Sequence, residues 1–248
     1  MKFHLFHFTP TGLVRAYSHL IAGYKLCRAT GNSMKGLFPE SVNSMTAAWN
    51  FNQTLKSKSL PPPRTIIDVG ANISQMAQLL TMSCPEQPKI LSFEPNTLLT
   101  PRLGTIFRVA LSNTDGEVSF YLPSNDDSWG TIEPGKENQQ NAKTIAANRF
   151  DTLLNKGELK IADLPRPILV KIDTEGSEMR VVEGFGERLN LVDYLLVEVE
   201  NDENRGHHYD LLTFSSHLKQ AGFNHSKVLY ACYDGHNVPA YNDILFWK

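Results

Sequence analysis

Long hydrophobic runs, paired cysteines and an excess of either charge are all missing from this 248-residue sequence. No stretch approaches the ~18 apolar residues that a membrane-spanning helix needs. The segment Phe3 to Phe8 is apolar but short, carries histidines and is stopped by Pro10. The apolar stretch that follows is broken by Arg15, His19, Lys25 and Arg28. It reads as neither a secretory signal nor an anchor, so the expected location is cytoplasmic. The three cysteines, Cys27, Cys84 and Cys232, are odd in number and widely scattered. That argues against a disulfide framework and against any Cys-x-x-Cys metal site, and it suits a reducing compartment. Lysine and arginine total 24 against 26 acids, a net charge of −2. Neither nucleic acid nor an anionic membrane is therefore expected as the main partner.

What is present is enough for one α/β domain with some decoration. Hydrophobic residues make up 41% of the chain, which suffices for a full core. Thr11 to Arg28 reads as an amphipathic helix, with Leu13, Tyr17, Leu20, Ile21 and Tyr24 at helical spacing and expected to pack on the main domain. Ser44 to Leu60 reads as a second helix, with Met45, Ala48, Trp49 and Leu55 inward. Pro61-Pro62-Pro63 ends it. Residues 1–60 thus form a helical extension, either a lid or the arm of a homodimer, and residues 61–248 form the main domain.

From Thr65 the pattern alternates between short apolar runs and helices. Strands are expected at Thr65–Val69, Ile90–Glu94, Phe107–Leu111, Val118–Leu122, Ile168–Asp173, Tyr194–Glu200, Lys227–Tyr233 and Ile244–Trp247, with helices at Gln75–Thr81, from Glu178 to Gly184, and at Leu211–Ala221. Continuous apolar strands between helices imply a doubly wound sheet covered on both faces. Ser124 to Asn148, rich in Asn, Gln, Gly and Ser, is expected to be a loop over the site.

Three strand ends carry the chemistry. Asp68-Val69-Gly70-Ala71-Asn72 closes the first strand with an acid and a glycine turn. Phe93-Glu94-Pro95-Asn96 closes the second, and Lys171-Ile172-Asp173-Thr174-Glu175-Gly176-Ser177-Glu178 a later one. Together with Ala110-Leu111-Ser112 and Asn242-Asp243-Ile244-Leu245-Phe246, these segments occur in the order that characterises the FkbM family of S-adenosylmethionine-dependent O-methyltransferases, which the chain resembles from about Arg64 to Lys248. The resemblance implies a Rossmann-like methyltransferase fold with an antiparallel last strand, S-adenosylmethionine as cofactor, and a hydroxyl of a sugar, glycan or natural product as acceptor. A nicotinamide enzyme would want Gly-x-Gly-x-x-Gly, whereas this turn offers one glycine. A non-catalytic module that binds a protein partner is the alternative from a different class.

On that resemblance the cofactor would be held by Asp68, Gly70, Ala71, Asn72, Ser74, Glu94, Pro95, Asn96, Ala110 and Asp173. Gly70 lets backbone approach, Glu94 accepts both ribose hydroxyls, and Asp68 orients the turn or accepts from the amino group. Ser74 stands where the family usually has a second glycine. The segment between Glu94 and Ala110 is short, which would leave the adenine end exposed. For catalysis the candidates are Asp173, Glu175, Glu200, His207 and His208, with one histidine as general base. Asp173, Glu200 and Asn201 could also converge as oxygen ligands for Mg²⁺, by analogy with metal-dependent catechol-type methyltransferases. Lys171 is expected to pair with Glu198 across neighbouring strands.

Overall fold

Thr65–Val69 (β1) and Ile168–Ile172 (β7) are buried at every residue, as strands covered on both faces must be. The computed structural model of the chain describes residues 10–31, 34, 44–122, 130–134, 142–200, 210–233 and 239–248. In it β1 pairs in parallel with Lys89–Phe93 (β2) on one side and with β7 on the other. Beyond β2 lies the short Thr105–Phe107 (β3), also parallel. Beyond β7 lies Tyr194–Glu200 (β8), again parallel. Pro239–Trp247 (β10) runs antiparallel between β8 and His225–Tyr233 (β9). The described strands therefore give one seven-stranded sheet in the order β3-β2-β1-β7-β8-β10-β9. This is the doubly wound, mostly parallel sheet with an antiparallel last strand that the sequence implied. The order reverses between β1 and β7, and ligands of such sheets bind outside the carboxyl ends at that switch point.

Strand parity assigns the two faces. Ile66, Leu169, Leu196, Leu245 and Trp247 pack with Ala47, Phe51 and Leu55 of helix α2 (Met45–Ser57) and with Leu80 of α3 (Gln75–Thr81). Ile67, Val69, Val170, Ile172 and Val197 pack on the other face with Phe150 and Leu153 of α4 (Phe150–Asn155), Val181, Val182 and Phe185 of α5 (Glu178–Phe185), and Phe214 and Leu218 of α6 (Leu211–Gln220). Each such side chain contributes about 1.5–3 kcal/mol on leaving water.

The first helix, α1 (Pro10–Thr30), is where the sequence reading gives way. Tyr17, Leu20 and Tyr24 are 67%, 46% and 59% exposed. The buried face is His19, Ala22, Leu26 and Cys27. The reason is Gly23, which lies against Met45: a Cβ there would run into the Met45 side chain. Close approach of α1 to α2 outweighs the larger apolar stripe, which points outward. The Leu13 side chain lies outside the described residues. In α2, Met45, Ala48 and Leu55 are buried as expected, and Trp49 is partly buried.

Two further expectations need correction. Phe107–Leu111 is not one strand, because the chain leaves the main sheet after β3 and Ala110–Leu111 (β4) enters a second sheet. That sheet has the order β4-β6-β5, with β5 at Gly116–Tyr121 and β6 at Ala142–Asn148. The segment 142–148 is therefore strand, not loop; it finds its hydrogen bonds on β4 and β5. Trp129 and the rest of 124–129 and 135–141 lie outside the described residues. All three cysteines are free thiols. No described helix is long and apolar enough to cross a membrane.

Candidate functional site

Two adjoining pockets open at the carboxyl ends of β1 and β7, and Gly70, Asn72 and Asp173 line both. The first extends over β2 and is walled by Phe93, Glu94, Pro95, Val109 and Ala110. Phe93 stacks on Phe107 with ring centroids 4.7 Å apart, which fixes its wall. The second lies towards β8 and β10 and holds Lys171, Glu198, Tyr241 and Asp243, with Ser44, Gln75 and Met76 from the helical side.

The turn between the pockets is shaped by conformations that few residues adopt. Gly70 has φ +69°, and a Cβ there would collide with the backbone carbonyl of Asp173. Asn72, Ser74 and Glu175 take positive φ without being glycine. Such conformations cost of order 1–3 kcal/mol each and cluster where function demands them. Ser74 is wholly buried, and its Oγ accepts from the Arg102 backbone N–H at 3.1 Å. It lines neither pocket, so the serine holds down the loop that follows β2.

Glu94 is 5% exposed and acts on two turns at once. Its Oε2 accepts from the Asn72 N–H and its Oε1 from the Asn96 N–H, both at 2.8 Å. Burial raises its pKa, and these two backbone bonds oppose the rise. Each oxygen keeps a second lone pair for a ligand in the first pocket. Asn96 is buried behind it and caps the next turn through Leu98 N–H.

The expected exposure of this pocket is corrected by the second sheet. Phe120 of β5 and the segment Gly130–Ile132 lie along it. Thr131 exchanges two backbone hydrogen bonds with Tyr121, at 2.8 and 3.1 Å. Buried Glu133 forms an ion pair with Arg180 on α5, anchoring the strap. Glu178, 1% exposed, gathers the backbone N–H of Thr174 and Gly176 and the Thr174 hydroxyl on one carboxylate oxygen, and so sets the loop that carries Asp173 and Glu175.

Lys171 does not pair with Glu198 as expected. In register with Asp68 on β1, its ammonium sits 3.4 Å from Asp68 and 3.2 Å from Asp173, and donates to the Gly70 carbonyl at 2.7 Å. Burial works against the ammonium, but Asp173 and Asp68 more than offset it and hold it above the ordinary lysine range. Asp68 is 1% exposed and lines neither pocket; burial raises its pKa, with Lys171 opposing. Asp68 thus holds Lys171 electrostatically beneath the site. Replacing Lys171 by leucine should destabilise the protein by about 3 kcal/mol or more, because Asp68 would be buried without its cation. Urea denaturation checks this; an unchanged midpoint would remove Lys171 as the electrostatic keystone.

Of the expected oxygen set Asp173, Glu200 and Asn201, Asp173 lines both pockets. Carboxylate oxygens of Asp173, Glu175 and Glu198 lie within 4.8 Å of one another, whereas Glu200 lines neither pocket. Asn201, His207, His208 and His236 lie outside the described residues. Antiparallel register places Asp243 directly opposite Glu198. Burial and then Asp173 push the Asp243 carboxyl up to about 7. Burial, Asp173 and Asp243 likewise raise Glu198 well above the carboxylate range. Buried Asp243 and half-buried Glu198, facing each other across the sheet, therefore favour keeping a proton between them towards neutrality. Tyr241 completes the wall; burial and the Glu198 charge raise its phenol.

A family model, the methyltransferase FkbM domain, matches residues 68–224, more than half of the chain. The hexuronic acid methyltransferase AglP of Haloferax volcanii is 33% identical over 142 residues, covering 53% of this chain and 54% of that protein. The chain therefore matches about half the length of this curated relative. Among solved structures, an O-methyltransferase from Bacillus cereus in complex with SAH aligns with TM-score 0.40 and 9% identity over 93% of this chain and 91% of its own. Precorrin-6y C5,15-methyltransferase from Geobacter metallireducens aligns with TM-score 0.38 and 12% identity over 87% and 94%.

Proposed function

The chain belongs to the FkbM methyltransferase family, and from that premise we propose that it transfers a methyl group from S-adenosylmethionine to a hydroxyl of a sugar or glycan. The observation that carries this reading is the meeting of two unlike pockets at Asp173. One has a glycine turn and a buried carboxylate suited to a nucleoside; the other is a cavity of carboxylates suited to hydroxyls. A sugar acceptor is supported by the relative whose name gives hexuronic acid as its substrate.

In the first pocket Glu94 would take the ribose diol on the lone pairs left by its two turn bonds. Ala110 and Pro95 would flank the base, with Phe120 and the 130–132 strap over it. Gly70, Ala71 and Asn72 would pass the amino-acid end, which is anionic and cationic at once, beside the Asp68–Lys171 pair. When bound, S-adenosylmethionine supplies an electrophilic methyl on a sulfonium, and the rest of catalysis is placement of the acceptor oxygen.

An alcohol also has to lose its proton. The pair Glu198–Asp243 is placed to accept it, because carboxyls raised towards neutrality make competent bases at working pH. Asp173, at the junction, orients the acceptor between the two pockets and is itself held by Lys171. This assigns the base to β8 and β10 and leaves His207 and His208 without a required role. Mg²⁺ was the other use for such acids. The Lys171 ammonium, 3.2 Å from Asp173, already places a positive charge there and would repel a dication. Methyl transfer from radiolabelled S-adenosylmethionine to a panel of sugars tests the reading, and it should proceed undiminished with EDTA. A tenfold loss with EDTA that Mg²⁺ restores would assign the acids to a metal. Failure to label any sugar, with label appearing instead on protein, would displace the glycan acceptor.

A further inference from the structure

We propose that the second pocket selects its acceptor by charge, taking a hydroxyl on an uncharged sugar ring and rejecting a uronate carboxylate. This rests on the methyl-transfer reading above and goes beyond it, because a relative is named for hexuronic acid.

Three observations carry it. The oxygens of Asp173, Glu175 and Glu198 lie within 4.8 Å of one another, so this end of the site is already crowded with acceptors. Asp243 lines the same cavity, is 7% exposed, and its side chain makes no hydrogen bond or ion pair with any described residue. A buried carboxyl left this way needs a donor from the ligand. Finally, Lys171 is the one cation among the described residues of either pocket lining, and its ammonium is committed inward, donating to the Gly70 carbonyl and lying against the Asp173 and Asp68 carboxylates.

The chemistry of the two candidate acceptors then differs in kind. A ring hydroxyl brings an O–H that Asp243 or Glu198 can accept, and a diol can satisfy two oxygens at once. A carboxylate brings acceptors only, and among the described residues it meets the carboxylates of Asp173, Glu175 and Glu198 with no uncommitted cation beside them. It is repelled by like charge where burial weakens solvent screening.

The test uses the full chain loaded with S-adenosylhomocysteine, with loading followed in the same samples. Saturation-transfer NMR compares methyl α-glucopyranoside with methyl α-glucopyranosiduronate at pH 7.5. The glucoside is expected to bind at least ~10-fold more tightly. Glu198→Gln with Asp243→Asn should close that gap to within about threefold, since it removes the charges that exclude the uronate; the wild-type comparison stands by itself if this variant fails to fold. Equal or tighter binding of the uronate overturns the proposal. So does absence of binding by both sugars while S-adenosylhomocysteine is bound. Failure of S-adenosylhomocysteine to bind would instead overturn the methyl-transfer reading, and this proposal with it.

Discussion

Replacing Glu94 by alanine is expected to weaken S-adenosylhomocysteine binding at least ~100-fold, about 2.7 kcal/mol, while the chain stays folded. Two losses combine. The carboxylate is 5% exposed and holds the Asn72 and Asn96 N–H groups at 2.8 Å. Without it the Asn72 and Asn96 backbone N–H groups lose this acceptor, at roughly 1–3 kcal/mol each. Both belong to turns that flank the first pocket, so the damage falls on the cofactor site. The second loss is direct, since the ribose diol would have no acceptor. Glu94→Gln keeps the volume but turns an amide N–H towards one of the two donors, and about a tenfold loss is expected. Calorimetric titration reads both variants, with circular dichroism as the folding control. Affinity within threefold of wild type for the alanine variant would reduce Glu94 to a turn cap.

Asp243→Asn is expected to raise stability at alkaline pH and to lower turnover about 100-fold, the size of a lost general base. The Asp243 carboxyl titrates at about 7 in the fold, against an ordinary 3.8, because it is buried and faces Asp173. A raised pKa means that the fold prefers the protonated acid. That preference contributes fully below about pH 4 and is lost as pH rises through 7. Above 7 the wild-type fold carries a buried anion opposite Glu198. Asparagine removes this burden and leaves the volume intact. The melting temperature of the variant should therefore exceed that of wild type by roughly 5 °C at pH 8, with a much smaller gap at pH 5. Wild-type turnover should climb through the same interval as the pair loses its proton. Scanning fluorimetry at the two pH values and a pH–rate profile check the two halves. A stability gap independent of pH, or full turnover in the variant, would remove Asp243 from the proton path.

The parallel core of the fold was legible because burial on both faces leaves unbroken apolar runs. β1 and β8 fall at the boundaries read from the sequence, Thr65–Val69 and Tyr194–Glu200. Gly70 and Glu94 stood out for a related reason, as a glycine and an acid at the ends of such runs, and both line the first pocket. What escaped depended on partners far away in the chain. β6 reads Ala-Lys-Thr-Ile-Ala-Ala-Asn, with too little apolar alternation to announce a strand, and it forms because β4 and β5 supply its hydrogen bonds. The buried face of α1 was set by Gly23, whose missing side chain lets α2 come close, and not by the tyrosines that dominate its stripe.

The acids of the second pocket show the same limit more sharply. Glu198 and Glu200 are two apart on one strand and share a face, so sequence alone could not choose between them. The choice is made by Asp243, 45 positions further on than Glu198, through the antiparallel register of β10 against β8. Asp243 stood in a quoted motif without a role, because nothing local marks an acid as facing another acid across a sheet. Lys171 was read correctly as a side chain that must find acids, but Asp68 and Asp173 reach it where Glu198 does not.

The central claim is that the first pocket holds S-adenosylmethionine, and titration of the protein with S-adenosylhomocysteine, with NAD⁺ in parallel, tests it most directly. The account predicts one site with affinity in the micromolar range, about −8 kcal/mol, and no heat from NAD⁺. Binding of NAD⁺ in preference, or no binding of S-adenosylhomocysteine with or without a sugar acceptor present, would contradict it.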